Sequence, residues 1–119
     1  MRENIVKTKS FAFALKIVNL FKNLTEKKRE FILSKQVLRS GTSVGAMVCE
    51  SEHAESKADF IHKLSIAQKE AKETSYWIEL LFQSRYLDEM EYKTISNDVQ
   101  ELCKILSAII VTAKERNKL

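Results

Sequence analysis

Glu50-Ser51-Glu52-His53 places a carboxylate and an imidazole three residues apart. On a helix, positions i and i+3 share a face, and a Glu-x-x-His pair of this kind, used twice with further inward carboxylates, holds the metal centre of ferritin-like bundles. Glu70 and Glu73 are the carboxylates available to complete such a site. The second copy is missing, because His62, the other histidine, has Asp59 rather than Glu three residues before it. The expectation is no metal and no cofactor, with Glu50 to His53 a polar cluster at a helix end. Nucleophilic chemistry is no better supplied. Ser43 has no histidine at a telling spacing, and neither Cys49 nor Cys103 sits in an electropositive sequence context that would favour a thiolate. Far apart and in apolar periodic sequence, they read as reduced, packed thiols, and the chain as a non-catalytic cytoplasmic protein.

The 119 residues contain two glycines and no proline. Turn-rich β folds need residues that tolerate positive φ or pre-set it near −65°, so this count points to helices throughout. It also excludes phosphate-binding glycine loops, dinucleotide turns and nucleophile elbows, none of which Gly41 and Gly45 can build. The charge is uneven. Residues 1–40 hold ten basic and three acidic side chains, a net of +7, and the remainder of the chain nets −3. Such segregation attracts a polyanion or orients one subunit on another, whereas its plainest consequence is only a solvated helix face.

The elements that must position these groups follow from apolar spacing. Val6, Phe13, Ile17, Leu20 and Leu24 form one stripe of a first helix over about 5–24, and Phe11, Leu15 and Val18, with Phe21 at the edge, form a second. A second stripe fits a helix that also buries a flank against something outside its own bundle, or a wide apolar arc inside a small core. Thr25 caps a second helix over about 26–52, in which Val37, Gly41, Val44 and Val48 keep the core spacing. Gly41 and Gly45 then lie one turn apart, a notch against which the small residues of the third helix can pack. That helix, about 57–84, starts at the cap Ser56 and carries the seam Phe60, Leu64, Ala67, Ala71, Thr74, Ile78 and Leu81. Asp88 caps a fourth helix over about 88–115, with Ile95, Val99, Leu102, Leu106, Ile109 and Ala113 inward and the tail from Lys114 to Leu119 fraying. Four amphipathic helices with short connections make an all-α, antiparallel up-down-up-down four-helix bundle in one domain. The longest apolar run, Ala108 to Val111, is too short to span a membrane, and no membrane partner is expected.

The stretch Arg39-Ser40-Gly41-Thr42-Ser43-Val44-Gly45-Ala46-Met47-Val48-Cys49-Glu50, together with Lys57-Ala58-Asp59-Phe60-Ile61-His62-Lys63-Leu64-Ser65-Ile66-Ala67 and a later Glu73, resembles the bacterial family of proteins encoded in intervening sequences of 23S ribosomal RNA genes, often labelled S23 ribosomal protein. Tyr86 and the acidic start of the last helix also match. The chain departs at Met47, Cys49 and Ser51, where the family commonly has Asn, Ala and Gly. The resemblance covers nearly the whole chain. It implies a four-helix bundle assembled as a ring-shaped homopentamer without established enzymatic activity. It also implies a relation to accessory proteins of diversity-generating retroelements, which associate with a reverse transcriptase and bind nucleic acid through a basic surface. Arg39, Gly41, Ser43, Gly45, Glu50, Phe60 and Glu73 are then motif residues with structural roles.

The leading functional expectation is an oligomeric module that contacts RNA or DNA backbone through Lys7, Lys9, Lys16, Lys22, Lys27, Lys28, Arg29, Lys35 and Arg39. No base-reading module is evident, so contact is sequence-tolerant and salt-sensitive. The alternatives are a protein-interaction scaffold or accessory subunit without nucleic-acid contact, and the metal-holding bundle weighed above. Glu50 or Glu73 can accept hydrogen bonds from Ser43, Thr74 or Tyr76, or pair with Arg39, and Tyr76 and Trp77 read as packing groups beside the seam.

Overall fold

The computed structural model describes residues 2–117. It contains four helices, α1 (Arg2–Glu26), α2 (Leu33–Ser51), α3 (Lys57–Gln83) and α4 (Glu89–Asn117), and no strand among the described residues. Each helix packs on its chain neighbours, α1 closes the cycle against α4, and the diagonal pairs stay apart. Cross-helix contacts fix the directions. Lys9 meets Glu101 and Lys16 meets Asp98, so α1 and α4 run antiparallel, and Lys63 meets Glu50 while Thr74 meets Ser40, so α2 and α3 do too. This is the arrangement of a four-helix bundle.

The periodic residues form its core. Val6, Phe13, Ile17, Leu20 and Leu24 of α1 are buried with Val37, Val44 and Val48 of α2, Leu64, Ala67, Ala71, Ile78 and Leu81 of α3, and Val99, Leu102 and Leu106 of α4. Each large apolar side chain so buried contributes about 1.5–3 kcal/mol relative to exposure. One hydrogen bond crosses this core, from Thr74 Oγ1 to Ser40 Oγ at 2.9 Å, which satisfies both hydroxyls where water cannot reach. At the α3–α4 edge, Tyr92 stacks on Phe82 with centroids 4.2 Å apart and donates its hydroxyl to Glu79 Oε1 at 2.6 Å. That bond, aided by one from Gln83, lowers the pKa of the Glu79 carboxyl and raises that of the tyrosine.

Both glycines lie inside α2, and both face α1 rather than α3. A Cβ on Gly41 would come within 2.8 Å of Ile17 Cγ1 and 2.9 Å of Ile17 Cγ2, and one on Gly45 within 3.3 Å of the Ser10 carbonyl oxygen. The notch expected from their spacing therefore exists, but its occupant is the first helix. Ala67 and Ala71 of α3 are buried on their own seam, and it is Ser40, one position away from the notch, that meets that helix.

With the glycines inside a helix, the turns use arginine. Arg29 and Arg85 adopt φ of 57° and 70°, the left-handed conformation that terminates helices. At the end of α3, Tyr86 N–H reaches the Leu81 carbonyl and Arg85 N–H the Phe82 carbonyl, a Schellman closure. After α1, Glu30 N–H reaches the Leu24 carbonyl at 2.8 Å. This turn corrects the expected start of α2 at residue 26, because α1 continues to Glu26 and α2 begins at Leu33. Thr25 does not cap α2, since its hydroxyl donates back to the Phe21 carbonyl at 2.9 Å. The capping group is the Glu30 carboxylate, which accepts from Ser34 N–H at 2.7 Å and Ile32 N–H at 3.3 Å. Burial by itself would push the Glu30 carboxyl up, but the backbone N–H groups of Ser34, Leu33 and Ile32 outweigh it and hold the carboxyl below its ordinary value.

The other two caps are as the sequence indicates. Ser56 accepts from Asp59 N–H at 3.0 Å, and Asp88 and Glu91 bond each other's backbone N–H in a full capping box. Helices α3 and α4 end and begin within two residues of expectation, and Lys118 and Leu119 of the tail lie outside the described residues. The cysteines are free, but only Cys103 is packed, half-buried with its thiol pKa pushed up by burial. Cys49 is exposed, because the position after Val48 turns away from the seam.

Two outcomes follow. Gly41→Ala should lower unfolding free energy in urea by about 1–2 kcal/mol, since the clash with Ile17 exceeds the gain in helix propensity. Combined with Ile17→Ala, its cost should shrink, because that substitution removes the atoms it meets. Glu30→Gln should cost about 1 kcal/mol at neutral pH. Because the folded carboxyl titrates below its unfolded value, its contribution is present above the ordinary carboxylate range and is lost as pH falls through the folded value. The difference between wild type and Glu30→Gln should therefore vanish in acid unfolding curves.

Candidate nucleic-acid interface

The nine cations singled out in the sequence divide into two groups. Along the helix bodies, antiparallel neighbours present carboxylates. Lys7 pairs with Glu52, just past the end of α2, at 3.1 Å, Lys9 with Glu101 of α4 at 3.0 Å, and Lys16 with Asp98 of α4 at 2.6 Å. Arg39 sits between Glu70, at 3.3 Å, and Glu73, both on α3. These pairs are largely solvent-exposed, so each adds little stability, but together they match the cations of α1 and tie it to the chain on both sides.

At the end where α1 passes into α2 the situation changes. Lys22, Lys27, Arg29 and Lys35 are exposed and form no ion pair among the described residues. Lys28 donates to the Tyr86 carbonyl, a bond that braces this turn against the α3–α4 turn. Of the two acids within the cluster, Glu26 is exposed at the end of α1, and Glu30 directs its carboxylate into the first turn of α2 and is buried there. The left-handed Arg29 carries its guanidinium to 5.3 Å from the centroid of the Phe31 ring. Across the same end, α4 begins with Asp88, Glu89 and Glu91. The end of the bundle thus has a basic side at the α1–α2 turn and an acidic side at the start of α4.

The basic surface expected on the first helix and the start of the second is therefore narrower. Lys22, Lys27, Lys28, Arg29 and Lys35 come together, while Lys7, Lys9, Lys16 and Arg39 are held by carboxylates from neighbouring helices. The pairing was not legible in the sequence, since it depends on which helix lies beside which.

Most motif residues have structural tasks. Gly41 and Gly45 admit α1. Ser43 Oγ donates to the Arg39 carbonyl at 2.6 Å within its own helix. Glu73 binds Arg39 and accepts from Trp77 Nε1 at 3.0 Å, which selects the arginine pairing from the options open at the sequence level. Glu50 instead meets Lys63 at 3.4 Å. With Glu52 on Lys7 and Glu70 on Arg39, the carboxylates of the candidate metal site face cations, and no group of three or more metal-binding side chains gathers among the described residues. Trp77 is half-buried, whereas Tyr76 is exposed and meets it edge-on at 5.0 Å. At the bundle end opposite the basic turn lies an open cleft of about 960 Å³, with Val48, Phe60, Leu64 and Ile109 among its apolar walls and Glu52 and Lys57 among its polar ones.

One more surface stands out. The ion pairs flank α1 on both edges, and between them its outward side exposes Phe11 (65%) and Leu15 (53%). These belong to the second stripe seen in the sequence. Lys22, seven residues beyond Leu15, continues the same helical face toward the basic turn. No helix of the chain is long and apolar enough among the described residues to cross a membrane.

Comparison with known proteins adds the following. The family model described as 23S rRNA-intervening sequence protein matches residues 2–108. A crystal structure from Bacteroides thetaiotaomicron, of a protein of unknown function from the S23 ribosomal protein family, is similar to this chain at 54% identity and a TM-score of 0.92. The match covers 92% of this chain and 98% of that one. No curated protein matches the chain.

Proposed function

The chain belongs to the 23S rRNA-intervening sequence protein family, and from that premise we propose that it is a non-catalytic, homo-oligomeric module that holds RNA or DNA backbone on the basic turn between α1 and α2. The observation that carries this reading is the division of the cations. Of the nine cations singled out in residues 1–40, Lys7, Lys9, Lys16 and Arg39 are matched by carboxylates, whereas Lys22, Lys27, Arg29 and Lys35 remain unmatched at one end. Phosphate oxygens are the complement of clustered, solvent-facing ammonium and guanidinium groups, and their neutralisation releases condensed counterions.

A single cluster of this size binds weakly. Self-association multiplies it, because a second cluster on the same assembly meets the same strand at high effective concentration. Phe11 and Leu15 supply an apolar surface for that association, and a ring of five copies closed through the outward side of α1 would repeat the basic turn around one rim. Lys22 lies at the junction of the two surfaces, so assembly and binding are adjacent on the same helix.

Two measurements test this. In fluorescence anisotropy with a labelled RNA, replacing Lys27, Arg29 and Lys35 with Glu should abolish binding, and replacing Lys7, Lys9 and Lys16 with Ala should leave it within about twofold. Neutralising the turn residues singly should flatten the dependence of log K on log salt by roughly 0.7–0.9 for each phosphate that the turn ceases to neutralise. Binding indifferent to salt would sink the reading. In sedimentation velocity, wild type should run as an oligomer, and Phe11→Asp with Leu15→Asp as a folded monomer whose RNA affinity falls by about a hundredfold or more. A wild-type monomer at micromolar concentration would remove the assembly from the proposal.

A further inference from the structure

The turn that carries the free cations also carries apolar side chains that the fold does not use. Phe31 is 46% exposed and Ile32 75%. Neither is needed to begin α2, since the Glu30 carboxylate caps that helix and Leu33 makes the first contact with the core. Phe31 is nonetheless placed by the backbone. Arg29 in its left-handed conformation sets a guanidinium over the ring, and Glu30, anchored to the start of α2, holds the segment between them. The result is an aromatic ring beside a guanidinium, with nearly half of its surface open and Lys27 and Lys35 close by in the chain.

We propose that Phe31 is a stacking platform for an unpaired base, and that the turn therefore selects single-stranded nucleic acid. This rests on the reading that the turn binds nucleic-acid backbone, and it narrows the ligand class. A duplex buries the faces of its bases against one another and offers this turn only phosphates. A single strand also offers base faces, and an aromatic ring accepts any of the four, so the preference is for strandedness and not for sequence. Arg29 has two roles here, steadying the ring through its cation–π contact and contributing charge toward the strand.

An anionic bilayer also suits a combination of basic and apolar groups, but its shape does not fit this end of the bundle. A bilayer is a plane and would meet the whole end, including the α3–α4 side, where Asp88, Glu89 and Glu91 outnumber Arg85 and Lys93 and anionic headgroups are repelled. The exposed Met90 (78%) stands among these acids and not among the cations. A strand is narrow and can follow the α1–α2 side alone.

The test uses the full chain in anisotropy titrations at one salt concentration, with oligouridylate, oligothymidylate and a duplex of matched length, and with vesicles of phosphatidylcholine and phosphatidylserine. Wild type should bind the single strands about tenfold more tightly than the duplex. Phe31→Ala should lose that preference and leave duplex affinity unchanged, and Phe31→Trp should restore it. Circular dichroism melts should match throughout, because the side chain lies outside the helices. If Phe31→Ala binds single strands as wild type does, while Lys27→Glu still weakens both nucleic acids, the platform is wrong and the backbone reading survives. If neither nucleic acid binds, both are wrong. Vesicle binding that depends on Phe31, without a strand preference, would assign the turn to membranes and overturn the proposal.

Discussion

The close approach of α1 to α2 is the constraint on which the remaining features depend. Ile17, fully buried, rests where a Gly41 side chain would have to be, and a Cβ on Gly45 would meet the Ser10 carbonyl oxygen at 3.3 Å, closer than an ordinary contact. Missing Cβ atoms on one helix let the other come in until backbone and side chain touch. That approach orients α1 so that its first stripe enters the core, its edges meet Glu52 just past α2 and the carboxylates of α4, and Phe11 and Leu15 point outward. Placing both glycines inside a helix also leaves none for the turns. The left-handed positions that end α1 and α3 fall to Arg29 and Arg85, at some conformational cost. A cation is thereby held in each turn, and one of them lies over Phe31.

Charge follows from the same arrangement. Beside the long faces of antiparallel helices, a cation of one helix can find an acid of the next, and Lys9, Lys16 and Arg39 do, while Lys7 finds Glu52 just past α2. Beyond the last turn of α1 there is no adjoining helix face, only another turn. The Lys28 ammonium accordingly binds a backbone carbonyl, and its neighbours meet solvent. A net charge of +4 for the whole chain conceals this difference. The local field at the α1–α2 turn is what a polyanion would encounter, and the matched pairs along the sides contribute little to it beyond a screening length.

Much of the fold was legible because helical periodicity and capping chemistry are local. The inward stripes of all four helices, the Ser56 cap and the Asp88 box needed only neighbouring residues in the sequence. The start of α2 was misplaced for the same local reason. Thr25 is a good cap by type, but its hydroxyl is taken up by the preceding turn, and a glutamate five residues on does the capping instead. Cys49 was read as packed because it adjoins an apolar seam, yet a single step along a helix turns a side chain by about 100° and brings it to the surface.

By itself, then, the sequence determined that the chain is helical, which residues line the core, and that glycine-loop chemistry is absent, since periodicity and glycine content act at the scale of one or two turns. The tertiary structure decided which helix fills the Gly41–Gly45 notch, which carboxylate answers each cation, and which cations are left without one. These depend on the neighbours of each helix and on its rotation about its own axis. Residues about 80 or 90 apart in the chain, such as Lys16 with Asp98 and Lys9 with Glu101, meet only once the bundle has closed.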